Sequence, residues 1–383
     1  MFLLVYFRIY VLLVLFYLWY RFIFRFIHDV KQEKEYPIYH KKASIIVPVY
    51  NEKDYILEMC VNSLLRADGE NEIILVDDCS TNNSWEKIKE LKRKHPQIIA
   101  IHLKRNMGKR HAQYYGLQYS SGHIIVTVDS DSVIDSNAIT ELLKPFHDSR
   151  VGATTGQIRV LNRGINLLTK MIESRYLSAS GLERASLSSF GIVTCCSGAL
   201  SAYRKEIFEQ IKEIYINQMF LGQKCTYGDD RNLTNLVLQR GFQVKFVKKA
   251  IVRTEVPYTY KNFFKQQLRW KKSFLRESLI TFRFAFKKNK LLALETSLNF
   301  VIPFVSLVSR LVMIYLAIVF PIMIIPIIFS LVVIGLLRNI LAIIEEGPYA
   351  LYSVPYVFVH ELGLYWLYWV ALFSLKDTKW GTR

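Results

Sequence analysis

Acidic side chains are scarcest where the chain is most basic: between positions 257 and 290, ten Lys or Arg face the single acid Glu277. Over the whole chain 50 Lys and Arg stand against 32 Asp and Glu, a formal net charge of +18. Cysteine is thin as well. The five present (Cys60, Cys79, Cys195, Cys196, Cys225) are an odd number without metal-type spacing, which argues against a disulfide framework or a structural zinc site. Also missing is the small-residue cleavage signature that would follow a secretory leader, and the charge that would precede one. In residues 1–28 an apolar run, interrupted by Arg8, has its charge gathered towards its end, at Arg21, Arg25 and His28 with Lys31 just beyond, so this stretch reads as an uncleaved transmembrane anchor with the following residues cytoplasmic.

Long hydrophobic runs are absent from the middle and gathered at the ends. Residues 293–375 are expected to supply further membrane helices: 295–340 is long enough for two crossings, and 349–375 is a third apolar stretch broken by Pro355, His360 and Glu361. The basic stretch 257–292 interleaves its cations with Phe, Trp and Leu. That pattern suits amphipathic helices on an anionic leaflet, cationic heads towards lipid phosphates. A basic, aromatic chain also raises nucleic-acid binding, but that leaves both tail and carboxylates unexplained, so no nucleic-acid partner is expected. Arg310 within an apolar run is costly unless it faces a partner or a wet cavity. The expected setting is the plasma membrane, multi-pass, with membrane lipids as partners and the catalytic domain cytoplasmic. A homodimer stays open.

Within 43–256 apolar β-rich runs alternate with helical patterns. Residues 44–49, 72–76, 98–103 and 123–128 read as strands buried on both faces, and 52–66, 83–94 and 108–120 as helices. This βαβ alternation predicts a Rossmann-like, doubly wound parallel sheet, whose ligands bind beyond the carboxyl ends of its strands. Acids fall at those ends. Tyr50, Asn51 and Glu52 follow the first strand and Asp77 and Asp78 the second, where carboxylates can accept from a base NH or ribose hydroxyls; a helix cap is the plainer reading of Asp77-Asp78-Cys79-Ser80. Lys109 and Arg110, after Gly108, can reach a base or phosphate or simply open a solvated helix. Asp129-Ser130-Asp131 ends the fourth strand, where one acid suits the ribose side and the other a Mg2+ or Mn2+ ion, unless the segment is only an Asx-turn.

The ordered set Asp77-Asp78, Asp129-Ser130-Asp131, Gly228-Asp229-Asp230-Arg231 and Gln266-Gln267-Leu268-Arg269-Trp270 resembles the inverting GT-A fold glycosyltransferases of family 2, in particular the membrane-embedded synthases of cellulose, chitin and hyaluronan. The likeness runs essentially the whole length. Cys195-Cys196-Ser197-Gly198-Ala199-Leu200 with Tyr203-Arg204, the Gly228 to Thr234 segment, and the terminal Trp380-Gly381-Thr382-Arg383 look most like class I hyaluronan synthases. Nodulation-factor chitin-oligosaccharide synthases are close relatives that usually carry Glu where this chain has Asp229. The chain departs from the synthases in being short and in having one helix, not two, before the catalytic domain.

The resemblance implies a base, Asp230, with Asp229 and Arg231 shaping its surroundings, although an Asp230–Arg231 ion pair is the bland alternative. It implies nucleotide contacts from Tyr50, Glu52, Asp77, Asp78, Lys109, Arg110, Asp129, Gln266, Arg269 and Trp270, and from Trp380 and Arg383 on a cytoplasmic tail, 376–383, that folds back over the nucleotide. Acceptor contacts fall to Cys225, Trp270, Ser197 and Gly198, though Cys225 equally suits burial and Trp270 an interfacial anchor. The metal falls to Asp131 and Asp129, as Mg2+ or Mn2+. The implied activity is processive, alternating transfer from UDP-GlcNAc and UDP-GlcA with inversion, the growing hyaluronan chain leaving through the enzyme's own membrane helices. A chitin or chitin-oligosaccharide synthase on UDP-GlcNAc alone is the alternative, and a non-catalytic export or sugar-binding subunit the alternative of another class.

Overall fold

The structure, a computed structural model, describes residues 2–32 and 36–377, and the chain divides into two compact units. A helical unit comprises Met1–Lys31, Arg163–Ser186 and Val256–Arg383, and an α/β unit comprises Gln32–Asn162 and Leu187–Glu255. The stretch Arg163–Ser186, inside the 43–256 region assigned above to the catalytic domain, thus groups with the helices.

The chain opens with helix α1 (Phe2–Gln32) of the helical unit. The α/β unit then alternates as the apolar runs predict: β1 (Ala43–Val49), α2 (Asp54–Leu65), β2 (Asn71–Asp77), α3 (Ser84–Lys94), β3 (Ile98–His102), α4 (Lys109–Gln118) and β4 (Ile124–Thr127). β1, β2, β3 and β4 run parallel. The β-branched residues of β1 and β4 are buried on both faces, as strands covered by helices must be. At Gly116 of α4, an added Cβ would stand 2.5 Å from Ile46 Cγ2, so only glycine lets the helix lie this close to β1. β3 is the exception to two-sided burial, because it ends the sheet and only Ile98 is fully enclosed.

After β5 (Ser132–Ile134), α5 (Ala138–Leu143) and β6 (Val151–Val160), the chain passes through α6 (Leu167–Ser178) and α7 (Ala185–Ser188) and returns to the sheet with β7 (Ser201–Arg204). Then come α8 (Lys205–Ile216), a small hairpin of β8 (Met219–Phe220) and β9 (Gln223–Lys224), α9 (Asp229–Gln239) and β10 (Gln243–Thr254). The sheet order is β3-β2-β1-β4-β7-β6-β10-β5. β7 is antiparallel to both β4 and β6, and β5 is antiparallel to β10. The expectation of a purely parallel sheet is therefore corrected to a mixed one. The βαβ pattern legible over the first four strands stops where β7, only four residues long, is inserted the other way round. Strand order reverses between β1 and β4, the place where open α/β sheets bind ligands.

The helical unit continues with α10 (Tyr260–Lys288), α11 (Lys290–Val319), α12 (Ile324–Glu346), α13 (Ser353–Val359) and α14 (Leu367–Phe373). Two apolar helical runs, Lys290–Val319 and Asn339–Phe373, are long enough to cross a membrane. The stretch carrying Pro355, His360 and Glu361 stays helical, with a π turn at His360–Leu364 between α13 and α14. Charges here are paired inside the unit: Arg21 with Glu295, Arg310 with Glu361, and Arg276 with Glu277. Arg310 is satisfied by that partner and by the face of Tyr365, which is how an apolar segment tolerates it. The cations of α10 do not all point outwards as an interfacial helix would require, since Lys271, Lys272 and Arg276 are buried.

Candidate active site

The site grows from the carboxyl ends of β1, β2 and β4. Asn51 after β1 and Cys79 after β2 both adopt positive φ, 51° and 58°. Non-glycine residues rarely sit there, and asparagine tolerates it because its side chain can bond locally. Asn51 Oδ1 accepts from the Thr81 amide at 2.8 Å, tying the two strand ends together. Glu52 is buried, and its Oε2 accepts from Ser130 Oγ at 2.8 Å, which fixes the Asp129-Ser130-Asp131 turn against β1. Tyr50, beside them, is half-buried.

The two acids after β2 are committed differently. Asp78 is buried and clamps the turn before α4, accepting from the Met107 amide at 2.8 Å and the Gly108 amide at 2.7 Å. Burial lifts its carboxyl above the ordinary range, the two amides offset only part of this, and Asp77 adds a little more. Asp77 Oδ2 meets His102 Nδ1 at 2.8 Å and the Ser80 amide at 3.1 Å, while its Oδ1 is buried with no hydrogen-bond partner among the described residues. That orphaned acceptor is a place for a donor such as a base NH.

Lys109 links the two acidic clusters. Its Nζ lies 2.5 Å from Asp129 Oδ1 and 3.2 Å from Asp229 Oδ2. Burial alone would lower the ammonium's value, but the two carboxylates outweigh it and raise it, so Lys109 stays charged. Gly198 leaves room for this bridge: a Cβ there would come within 2.5 Å of Lys109 Nζ and 3.0 Å of Asp129 Oδ2. Ser197 is held beside it by its backbone amide, which donates a hydrogen bond to Thr155 Oγ1 at 3.1 Å. Arg110 turns inward instead, bonding the Tyr215 carbonyl at 2.8 Å and Asn232 Oδ1 and Gln218 Oε1 at 2.7 Å.

Asp229 and Asp230 open α9 behind Gly228, whose φ of 77° supplies the left-handed turn before the helix. Adjacent in sequence, the two carboxyls are driven apart. Burial pushes Asp229 up, but Lys109 and Arg110 pull it below the ordinary value. Burial and then the Asp229 charge raise Asp230, with Arg231 and Lys109 opposing. Of two neighbouring carboxyls pushed in opposite directions, the raised one has the higher proton affinity. Asp230 Oδ1 accepts from the Arg231 amide at 2.7 Å, and the Cys195 thiol donates to its Oδ2 at 3.4 Å. Cys225 is buried five residues earlier, its amide bonded to the Gln218 carbonyl at 3.0 Å.

Asp129 and Asp131 flank Ser130, and Asp131 Oδ1 accepts from Thr254 Oγ1 at 3.2 Å. Among the described residues no group of three His, Cys, Asp or Glu could hold a metal. Two hard carboxylates fit a Mg2+ or Mn2+ ion that takes its remaining ligands from a diphosphate and water. Gln266, Arg269 and Trp270 lie on α10 of the helical unit, at a spacing that stacks them on one face. Gln266 Oε1 is buried without a partner among the described residues, and Trp270 is exposed with its ring 6.5 Å from that of Tyr176. Trp380 and Arg383 fall outside the described residues.

Within the α/β unit, then, the structure gathers Glu52, Asp77, Asp78, Lys109, Asp129, Asp131, Ser197, Gly198, Asp229, Asp230 and Arg231 around a connected set of contacts. Residue-by-residue reasoning missed Ser130, Cys195 and Thr254. Ser130 could have been found from its place between two acids; the other two depend on distant segments meeting.

A mixed, Rossmann-like sheet with carboxylates crowded at its switch point is the GT-A architecture of sugar-transferring enzymes, and the chain is a glycosyltransferase. The glycosyl transferase family 2 profile matches residues 44–212. The chain is 36% identical over 354 residues to the hyaluronan synthase of Streptococcus pyogenes, covering 89% of this chain and 83% of that one. It is 37% identical over 256 residues to an N-acetylglucosaminyltransferase of Neorhizobium galegae, covering 66% of this chain and 59% of that one. A mannosyltransferase from Pyrobaculum calidifontis, solved with GDP-Man and Mn2+, shares the fold with a TM-score of 0.61 at 17% identity, over 93% of this chain and 98% of that one. The chain belongs to glycosyl transferase family 2.

Proposed function

We propose that the protein is a processive hyaluronan synthase, alternating GlcNAc and GlcA from their UDP forms with inversion and exporting the polymer through its own helices. The observation that carries the chemistry is the divided pair Asp229 and Asp230, with Lys109 holding Asp229 to Asp129. The identity to the streptococcal synthase over 89% of the chain supports the product.

In this reading Asp230 takes the proton of the acceptor hydroxyl as its oxygen attacks the anomeric carbon from the side opposite the diphosphate. The new C–O bond forms as the bond to the diphosphate oxygen breaks, and UDP leaves with the electron pair. Asp229, held ionised by Lys109, keeps the Asp230 carboxyl basic. Asp77 Oδ1 receives the base NH, and Tyr50, Glu52, Asp78 and Arg110 shape or support the nucleotide pocket. Asp129 and Asp131 would hold Mg2+ or Mn2+, which when bound would neutralise the leaving diphosphate. Arg269 suits a diphosphate oxygen, Gln266 a nucleotide hydroxyl and Trp270 a sugar ring. Ser197, Gly198 and Cys225 are assigned to the acceptor, and Trp380 and Arg383 to the nucleotide. We place the catalytic domain on the cytoplasmic side of the plasma membrane, with α1 and the two long apolar runs as membrane segments.

Purified protein in lipid, given both UDP-sugars and Mn2+ or Mg2+, should yield a polymer that hyaluronidase degrades. UDP release without such a polymer rejects the reading. The rhizobial relatives favour one second reading, a chitin-type synthase, which elongates on UDP-GlcNAc alone.

A further inference from the structure

The helical unit holds several buried or half-buried cations, and most are cancelled by an acid. Lys272 pairs with Asp377 at 2.9 Å, Arg276 with Glu277 at 3.2 Å, Arg175 with Glu183 at 3.1 Å, and Arg310 with Glu361. Glu183 and Glu361 each sit in a π turn, Ala179–Arg184 and His360–Leu364. Such turns are rare and concentrate at functional sites, and here they aim a carboxylate at a half-buried guanidinium.

Lys271 breaks the pattern. It is 8% exposed, and no carboxylate among the described residues reaches its Nζ. Its contact is the ring of Tyr368, with Nζ 3.7 Å from the centroid. Tyr365 lies alongside, ring centroids 5.8 Å apart, carrying Arg310 on its own face at 3.3 Å. Two neighbouring tyrosines thus each hold a cation, but only Arg310 has its acid. Burial, with Arg175 adding like charge, pulls the Lys271 ammonium down to about 7, and Glu361 offsets little of this. A buried charge left uncompensated is costly, and an anion arriving beside it recovers that cost.

We infer that Lys271, held over Tyr368, is a binding subsite for a sugar carboxylate, reading the acidic residue of an alternating neutral and acidic polysaccharide. The inference rests on the proposed hyaluronan product and deepens it. The ammonium supplies the charge-assisted contact, and aromatic rings supply the flat apolar surface that sugar rings pack on. A lipid phosphate is a weaker fit, because the ammonium is enclosed instead of sitting at the rim.

The test uses the full chain with Asp230→Asn to stop turnover, in nanodiscs of neutral phosphatidylcholine. Binding is measured for two labelled oligosaccharides of equal length, one alternating GlcNAc and GlcA, the other GlcNAc only. Lys271→Ala should weaken the acidic oligomer about tenfold or more and the neutral one less than about twofold, while Lys271→Arg keeps the acidic one within about threefold. Equal losses for both oligomers, no loss at all, no binding of the acidic oligomer by the parent, or a Lys271 effect that appears only on adding anionic lipid would each overturn the inference. Failure of the proposed function reads differently: the unsubstituted protein would make no hyaluronidase-sensitive polymer from the two nucleotides.

Discussion

The two units are built inside out relative to each other. In the α/β unit the aliphatic strands are sealed, Ile45, Ile46 and Val47 at 0% exposure, and the buried carboxylates sit at strand ends around the ligand crevice. In the helical unit the large apolar residues face outwards, Ile318 at 74%, Phe329 at 69% and Phe373 at 83%, while Arg21, Arg276, Glu277 and Glu295 are enclosed. A water-facing fold hides its hydrocarbon; a fold whose surroundings are apolar gains nothing by doing so and hides its charge instead. The same residue type therefore carries different information in each unit. The buried acids of the α/β unit gather around the candidate site, whereas Glu277 and Glu295 among the helices are each half of an ion pair, and Lys271 stands out because no carboxylate among the described residues pairs with it.

The largest expected effect lies in the α/β unit. Asp230→Asn removes the proposed base and should lower kcat about a thousandfold, measured as UDP release. Its raised carboxyl also has a consequence for stability. A folded-state value above the unfolded one makes a contribution that is present at low pH and lost as pH rises through the folded value, so at neutral pH the ionised form opposes folding. The same substitution should thus leave the melting temperature unchanged or raised; an inactive variant that also melts early would make Asp230 structural and erase the contrast between the units.

Among the helices the stakes are stability. Arg21→Ala strands the Glu295 carboxylate, and an orphaned buried charge should cost about 3–5 kcal/mol in denaturant unfolding, with Arg21→Ala/Glu295→Ala recovering part of it. A native-like melt for the single variant would show that water already reaches the pair. Next comes a direct probe of the surroundings. Leu311, exposed on α11, replaced by Lys should disfavour membrane insertion by about 2.5–3.5 kcal/mol, whereas Met59→Lys, also exposed, on α2, should change stability by less than about 0.5 kcal/mol. Equal effects would mean that both surfaces meet the same solvent.

The smallest effect is on pH dependence. Because burial and Asp229 raise Asp230, the acid limb of the kcat profile should lie above the ordinary aspartate value of about 4. Asp229→Asn removes the neighbouring charge and should move that limb down by less than about one unit, a shift belonging to the coupled pair. An upward move would break the assignment of roles.

Much of the site was legible locally. Four β-rich runs became β1 to β4, and the acids expected at their ends are there, because strand propensity and the end of an apolar run are properties of a few adjacent residues. The reversal at β7 was not, since a four-residue strand carries no signal of direction. Nor was the division between Asp229 and Asp230. They are adjacent in sequence; what holds Asp229 low is chiefly Lys109, 120 positions away and brought in by α4, with Arg110 beside it.

The order of residues alone dictates where chain is apolar, where it must turn, and which segments carry carboxylates, since each of these follows from the chemistry of near neighbours. Which carboxylate stays ionised, which cation is cancelled and which is left over depend on charges separated by tens to hundreds of positions. Coulomb energy falls with distance in space and is amplified by exclusion of water, and neither quantity exists until the chain has folded.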